Sequence, residues 1–375
     1  MRILILTTRY FPHVGGVETV VEHLSAEWSK IHDVTIVTSK KSNGAFDIED
    51  DLEKTNQINI KKIWMAVPRS WVGLIAFPIR FILSFSKLNK FIKEYSPDVL
   101  NVHFLDDITI YIWLLSIINK KLKFFVNIHG NDLHIFSKRF GYKFFIKSVL
   151  DNCEKIIVNS NYMRSELLDM YPYLDSKLMV IPNGLDINRI RKIEAKKYFD
   201  NDYMFFVGRF VYKKGIDILI RAFSMVNIPG LKLLIEGNGE IFKEMNDLVH
   251  TMNLQDKVAF TQGKLSNEEK ISYMKGSVFG VMPSRIEPFG IVALEFMAAG
   301  VPLIASRTGG LEDILKNGSG VFFENENVKD LADKMTYLYQ NRNIREKIIE
   351  SQNMDIVHYT WHNISEEYIR SFLIR

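Results

Sequence analysis

Short apolar runs rich in β-branched residues recur along this chain at 3–7, 33–38, 59–64, 99–103, 124–128 and 155–159, separated by longer amphipathic stretches such as 17–30. Alternation of this kind is the signature of βαβ units, because two parallel strands need a long crossover, usually a helix, between them. A second series, at 203–207, 231–236, 258–261, 278–282 and 302–305, begins after the turn Pro182-Asn183-Gly184 and a polar, Lys-rich segment. Pro and Asn-Gly together are strong turn formers, so the chain is expected to restart there. The expected fold class is α/β: a Rossmann-like unit over 1–183, a second over 184–357, and a C-terminal helix within 358–375 whose aromatic residues suit packing back across the junction. A length of 375 residues suffices for two cores. The acidic patch 47–53 reads as a mobile loop.

Composition narrows the classes further. The single cysteine, Cys153, rules out an intramolecular disulfide and suits a reducing, cytoplasmic setting. The apolar run at 3–6 is shorter than the roughly 7–15 residues of a signal-peptide core and reads as a buried strand. The net charge of +4 is unevenly placed: 54–93 carries Lys54, Lys61, Lys62, Arg69, Arg80, Lys87, Lys90 and Lys93 with no acidic residue, and 120–147 sets only Asp132 against a second basic cluster that includes Lys138 and Arg139. Between 71 and 85 lies WVGLIAFPIRFILSF, interrupted by Pro78 and Arg80 and too short for a membrane span of about 20 residues. Two readings stay open for it: aromatic residues flanked by cations that dock on an anionic membrane surface, or a buried helix with a solvated charged face. No nucleic-acid motif accompanies the charge, so nucleic acid is not an expected partner.

Three loops carry candidate chemistry. In MPSRIEPFGIVALEFMAAG, a strand ending near Met282 meets a loop and a helix expected to begin at Phe289 or Gly290. Ligands of open α/β sheets bind at such strand ends, and the free N–H groups of a first helical turn favour an anion. Pro288 biases Glu287 toward an extended conformation outside the helix. Glu295 lies among Ile291, Val292, Ala293, Leu294, Phe296, Met297, Ala298 and Ala299, so a carboxylate surrounded by core needs a hydrogen-bond partner. Ribose hydroxyls would serve; so would a structural cap or an Arg pair. GRFVYKKG sets Arg209 and Lys214 beside glycines, where they could grip a diphosphate or form an exposed basic loop, and Lys213 reads as solvated surface. Gly237 stands in the third loop, Glu236-Gly237-Asn238-Gly239-Glu240, which either approaches a nucleotide or makes a plain turn. In the first half Gly15-Gly16 precedes the first helix and His129-Gly130 follows an apolar strand; tight turns and a packed or capping histidine explain them as well as ligand contact does.

Together these segments resemble the family-four retaining glycosyltransferases of GT-B architecture, two facing Rossmann-like domains with an inter-domain donor cleft. The likeness rests on GRFVYKKGIDILIRAF, on PSRIEPFGIVALE with its two glutamates, on AAGVPLIAS followed by TGG, and on NGLD, SNYMRSEL, GGVE and HG. Thr19 stands where the family often has Arg. The resemblance implies that Arg209 and Lys214 bind the donor phosphates, Glu295 the ribose and Glu287 the donor sugar. His129 would contact that sugar, Gly16 would lie near the phosphate or acceptor, and Gly237, Phe289, Gly290 and Ile291 would complete the donor cradle. Arg209, Lys214, Glu287 and His129 form the implied catalytic set. Implied too are a UDP- or GDP-sugar donor, a glycan, lipid-linked or small-molecule acceptor, no cofactor and no metal. The basic aromatic segment 61–93 motivates a glycolipid or polysaccharide-precursor acceptor, and with the lone cysteine the expected place is the cytoplasm or the inner face of the membrane. A nucleotide-sugar epimerase, a phosphorylase and a catalytically silent binding subunit are the competing readings. A dehydrogenase would require a glycine fingerprint and an acidic ribose ligand that neither half combines.

Overall fold

The computed structural model describes residues 1–10, 15–39, 51–55, 58–65, 71–130 and 141–373. Arg69, Asp132, Lys138, Arg139 and the part of the acidic patch up to residue 50 lie outside them. The chain divides into two compact units, one of 1–159, 163–182 and 361–375 and the other of 160–162 and 183–360.

The first unit holds an eight-stranded sheet built from β1 (Arg2–Thr7), β2 (Asp33–Ser39), β3 (Asp51–Thr55), β4 (Ile58–Ile63), β5 (Val99–His103), β6 (Phe124–Ile128), β7 (Lys155–Val158) and β8 (Leu178–Val180), in the order β3-β4-β2-β1-β5-β6-β7-β8. All neighbours are parallel except β3, which runs antiparallel to β4 with Glu53 opposite Ile60. The acidic loop expected at 47–53 is thus corrected over 51–53: those residues enter a hairpin strand, and their charges obscure its pattern. Residues 3–7 of β1 and all of β5 and β6 are buried, as strands covered on both faces must be. The terminal helix Trp361–Leu373 belongs to this unit; the Trp28 ring meets Tyr368 and Phe372 edge-on at 5.8 and 5.6 Å, and its Nε1 donates to Ser365 O at 3.2 Å.

The 71–85 stretch forms the start of one long helix, Trp71–Tyr95, which carries Pro78 inside it. Among the described residues no helix is long and apolar enough to cross a membrane. Strands β4, β5, β6 and β7 step in one direction across the sheet, so right-handed crossovers place the intervening helices on one face. Packing of Phe81 on Tyr111 at 4.7 Å and of Trp113 on Phe145 at 4.9 Å agrees with that placement.

The second unit holds six parallel strands, β9 (Tyr203–Val207), β10 (Lys232–Glu236), β11 (Val258–Phe260), β12 (Phe279–Met282), β13 (Leu303–Ser306) and β14 (Val321–Phe323), in the order β11-β10-β9-β12-β13-β14. After β9 the chain moves first to one side and later to the other, so the loops leaving β9 and β12 are neighbours at a topological switch point, where open α/β sheets bind ligands. Two apolar cores pack on its faces: Phe206, Ile216, Leu219, Phe223 and Leu233 on one, and Phe205, Leu234, Leu294, Phe296 and Met297 on the other. Each of β8 and β14 has three residues, too few to show an alternation in the sequence.

Candidate functional site

The loop after β9 closes in a single 3-10 turn, Tyr212–Lys214, before the helix Ile216–Met225 begins. Gly215 makes this possible. Its φ is +65°, and a Cβ there would lie 2.0 Å from Pro283 O, so the β9 loop can rest directly on the β12 loop. Arg285 N donates to Lys213 O at 2.8 Å across the same contact. The two loops are therefore one backbone assembly.

Within that assembly Lys214 Nζ donates to Glu287 Oε2, and Ser284 Oγ donates to the same oxygen at 3.1 Å. Both members of the ion pair are largely withdrawn from solvent, with side chains 17% and 9% exposed. Lys213, expected on solvated surface, is instead half-buried, and its ammonium is held below the ordinary lysine value, first by burial and then by repulsion from Lys214 and Arg209. Arg209 is exposed and makes no ion pair among the described residues. Three cations thus share electrostatic reach with one buried carboxylate.

Arg285 locks the loops from behind. Its guanidinium forms a two-pronged pair with Asp217 at 2.8 and 2.7 Å, donates to Glu326 at 2.7 Å and lies 3.8 Å from the centre of the Tyr212 ring. Burial raises the Asp217 carboxyl, but the bonds from Arg285 outweigh it and hold the group below its ordinary value. Arg285 is not singled out by the sequence, where its only signal is an Arg between the loop's Ser and Glu.

The helix expected to begin at Phe289 or Gly290 spans Ile291–Ala299, with Gly290 outside it at φ +106°. Phe289 is buried and Ile291 is 41% exposed beside the helix start. On the same helix, Glu295 Oε1 accepts from Lys270 Nζ at 2.8 Å, the two side chains being 15% and 16% exposed. Its other oxygen, Oε2, is buried with no hydrogen-bond partner among the described residues. A buried carboxylate oxygen with unused lone pairs is a ready acceptor for a ligand hydroxyl. The structural pairing weighed for Glu295 is present, with a lysine in place of an arginine, and it uses only half of the carboxylate.

Nearby, Glu236 ends β10 and accepts from Thr261 Oγ1; burial raises its carboxyl above the usual range while Lys270 opposes the rise. Gly237 follows at φ +139°, and a Cβ there would fall 1.8 Å from Gly208 O. Its glycine identity is thus required by the packing of the third loop on the backbone of 208.

In the first unit, Gly16 opens the helix Gly16–Trp28 at an exposed position with open space where a Cβ would go. Thr19, in the place often held by Arg, is exposed and donates from Oγ1 to Gly15 O at 2.9 Å. His129 follows β6, and its Nε2 lies 3.2 Å from His103 Nδ1. Burial, with Arg9 nearby, lowers the His129 imidazole to about 4, so it is neutral at pH 7. Gly16 and His129 therefore belong to one unit, and Arg209, Lys214, Gly237, Glu287, Phe289, Gly290, Ile291 and Glu295 to the other.

Two Rossmann-like α/β units, the second with cations and carboxylates gathered at its switch point, define a protein of the GT-B class. Residues 14–189 match the family described as Glycosyltransferase Family 4, and residues 187–353 match Glycosyl transferases group 1. The chain belongs to this family of glycosyltransferases. It is 29% identical over 368 residues to an uncharacterised glycosyltransferase of Methanocaldococcus jannaschii, covering 96% of this chain and 95% of that one. It is 24% identical over 341 residues to the alpha-monoglucosyldiacylglycerol synthase of Streptococcus pneumoniae, covering 84% and 74%. Its fold superposes on Anabaena HepE in complex with UDP and glucose with a TM-score of 0.73, covering 99% of both chains at 17% identity.

Proposed function

We propose that this glycosyltransferase moves a sugar from a UDP- or GDP-linked donor to an acceptor hydroxyl with retention of anomeric configuration. The observation that carries the reading is the charge imbalance at the switch point of the second unit: burial, and then Lys214 and Arg209 close by, hold the Lys213 ammonium below its ordinary value, while Lys214 is paired with the buried carboxylate of Glu287. Such a site is completed by an anion, and a diphosphate supplies two negative charges. The superposition on a protein solved with UDP and glucose supports the same class of donor.

In this scheme Arg209 and Lys214 stabilise the negative charge that develops on the departing nucleoside diphosphate. Glu295 Oε2 accepts from the ribose, Glu287 orients the sugar, and His129 contacts that sugar. The acceptor hydroxyl attacks on the leaving-group face and passes its proton to the departing phosphate. No divalent metal enters the reaction.

A lipid-linked acceptor is supported by the helix face of the first unit. Ile79 and Ile82 are 60% and 64% exposed, Ile118 and Phe144 52% and 63%, and Lys90, Lys121 and Lys143 stand exposed on the same helices or at their ends. Exposed apolar side chains among cations suit an anionic membrane, on which each well-placed cation adds about 1 kcal/mol. The reading places the enzyme in the cytoplasm, peripheral on the inner membrane face.

Incubation of purified protein with UDP- and GDP-sugars, chelator and anionic vesicles containing diacylglycerol tests all of this. The expected product is a glycoside whose anomeric coupling constant matches that of the donor sugar. An inverted product would overturn retention. Epimerised nucleotide sugar without transfer would overturn the transferase chemistry proposed here.

A further inference from the structure

Three buried side chains on two adjacent strands of the first unit form a hydrogen-bonded line that ends on His129, which follows β6 and is half-buried. In the parallel pairing of β5 with β6, His103 lies opposite Asn127. Residues two apart share a face of a strand, so Asn101 lies on the same face as His103. Asn101 and His103 are fully buried and Asn127 is 1% exposed.

The direction of every bond in this line follows from one fixed point. Asn127 donates from Nδ2 to the backbone carbonyl of Val102 at 2.9 Å. A carbonyl oxygen only accepts, so the amide of Asn127 cannot be reversed without setting two acceptors against each other. The same Nδ2 donates to Asn101 Oδ1. With its oxygen so engaged, Asn101 turns Nδ2 to His103 Nε2, 2.9 Å away, and that ring nitrogen must accept. A neutral imidazole that accepts at Nε2 carries its hydrogen on Nδ1, and His103 Nδ1 lies 3.2 Å from His129 Nε2. His129 therefore accepts at Nε2 in its turn.

We propose that Asn127, Asn101 and His103 form a polarity relay that holds His129 as the Nδ1–H tautomer and engages its Nε2 lone pair, so that His129 serves as a hydrogen-bond donor and not as a proton acceptor. The relay makes Asn101 and His103 positioning residues. Reversal of either ring would leave like groups facing one another in a buried site, at a cost of about 1–3 kcal/mol, which corresponds to a tautomer ratio of roughly 5 to 150. Where this inference touches the donor sugar it rests on the function proposed above: His129 would then meet the sugar by donation, leaving the acceptor's proton to the phosphate.

The experiment is long-range 1H–15N correlation on the full chain labelled with 15N-histidine at pH 7.5, with His129→Gln and His103→Gln samples to assign the two rings. Both rings are expected to show a protonated Nδ1 and an unprotonated Nε2. A protonated Nε2 on His129 overturns the relay whatever the protein's activity. Asn101→Leu, similar in volume, breaks the line while leaving the Asn127 bond to Val102 intact. It is expected to lower the Nδ1–H fraction of His129 and to raise KM for the sugar nucleotide about tenfold, with affinity for the free nucleoside diphosphate unchanged. A folded Asn101→Leu protein with unaltered His129 tautomer contradicts the proposal. If the unaltered protein binds no nucleoside diphosphate, the donor reading fails, while the tautomer measurement still decides the relay.

Discussion

At Lys214 two physical roles meet in one ammonium: it neutralises a buried carboxylate and, in the proposed reaction, stabilises a leaving diphosphate. Lys214→Ala is expected to lower turnover by roughly 10²- to 10³-fold, the scale for removal of one preorganised charge-stabilising donor. It also strands Glu287, and breaking a buried pair costs about 3–5 kcal/mol, so turnover must be read on the folded fraction from steady-state kinetics alongside urea unfolding. Near-normal turnover would remove Lys214 from the mechanism. The residues of this site differ in how far the sequence announces them. The apolar neighbours of Glu295 announce a carboxylate in need of a partner, and Pro288 announces that Glu287 stands outside the helix. Lys270 gives no such sign, because the contact with Glu295 joins two helices 25 positions apart. Lys213 misleads for a related reason: a lysine in a polar loop reads as solvated until the loop after β12 is laid against it. The His103–Asn101–Asn127 line is invisible for the same cause, since its members look like ordinary polar interruptions in two apolar strands.

Elements fare better than residues, because parallel sheets write themselves into sequence as buried, β-branched runs. β1, β2, β5 and β6 fall within a residue or so of the runs that announce them. What escapes is whatever lacks a pattern: the charged hairpin strand β3 and the three-residue strands β8 and β14. Pro78 is the opposite case, a breaker that the helix Trp71–Tyr95 accommodates as it continues into Phe81, Leu88 and Ile92, of which the last two are buried. The β9 loop yields an element-scale prediction. Gly215→Ala would strain a residue at φ +65° and drive a methyl into Pro283 O. The expected loss is ~2 kcal/mol or more in urea unfolding of the second unit, with weakened nucleotide affinity because the β9 and β12 loops separate. Unchanged stability and affinity would show that the two loops do not act as one assembly.

For the whole molecule, the alternation of runs discloses two α/β units, and family membership follows from motifs spread over both. Donor base, sugar and acceptor are not legible in either the runs or the motifs, since they depend on loop shape and on side chains brought together from several strands. The central claim is that the switch point of the second unit holds a nucleoside diphosphate through Lys214 and Glu295. Thermal unfolding with UDP, GDP and ADP in the presence of chelator tests it most directly. Saturation at about 100 times the dissociation constant adds roughly 2.7 kcal/mol of stability. The account predicts a raised midpoint with one of these nucleotides, lost in both Lys214→Ala and Glu295→Ala. A midpoint that none of them moves, or a shift that survives both substitutions, would contradict it.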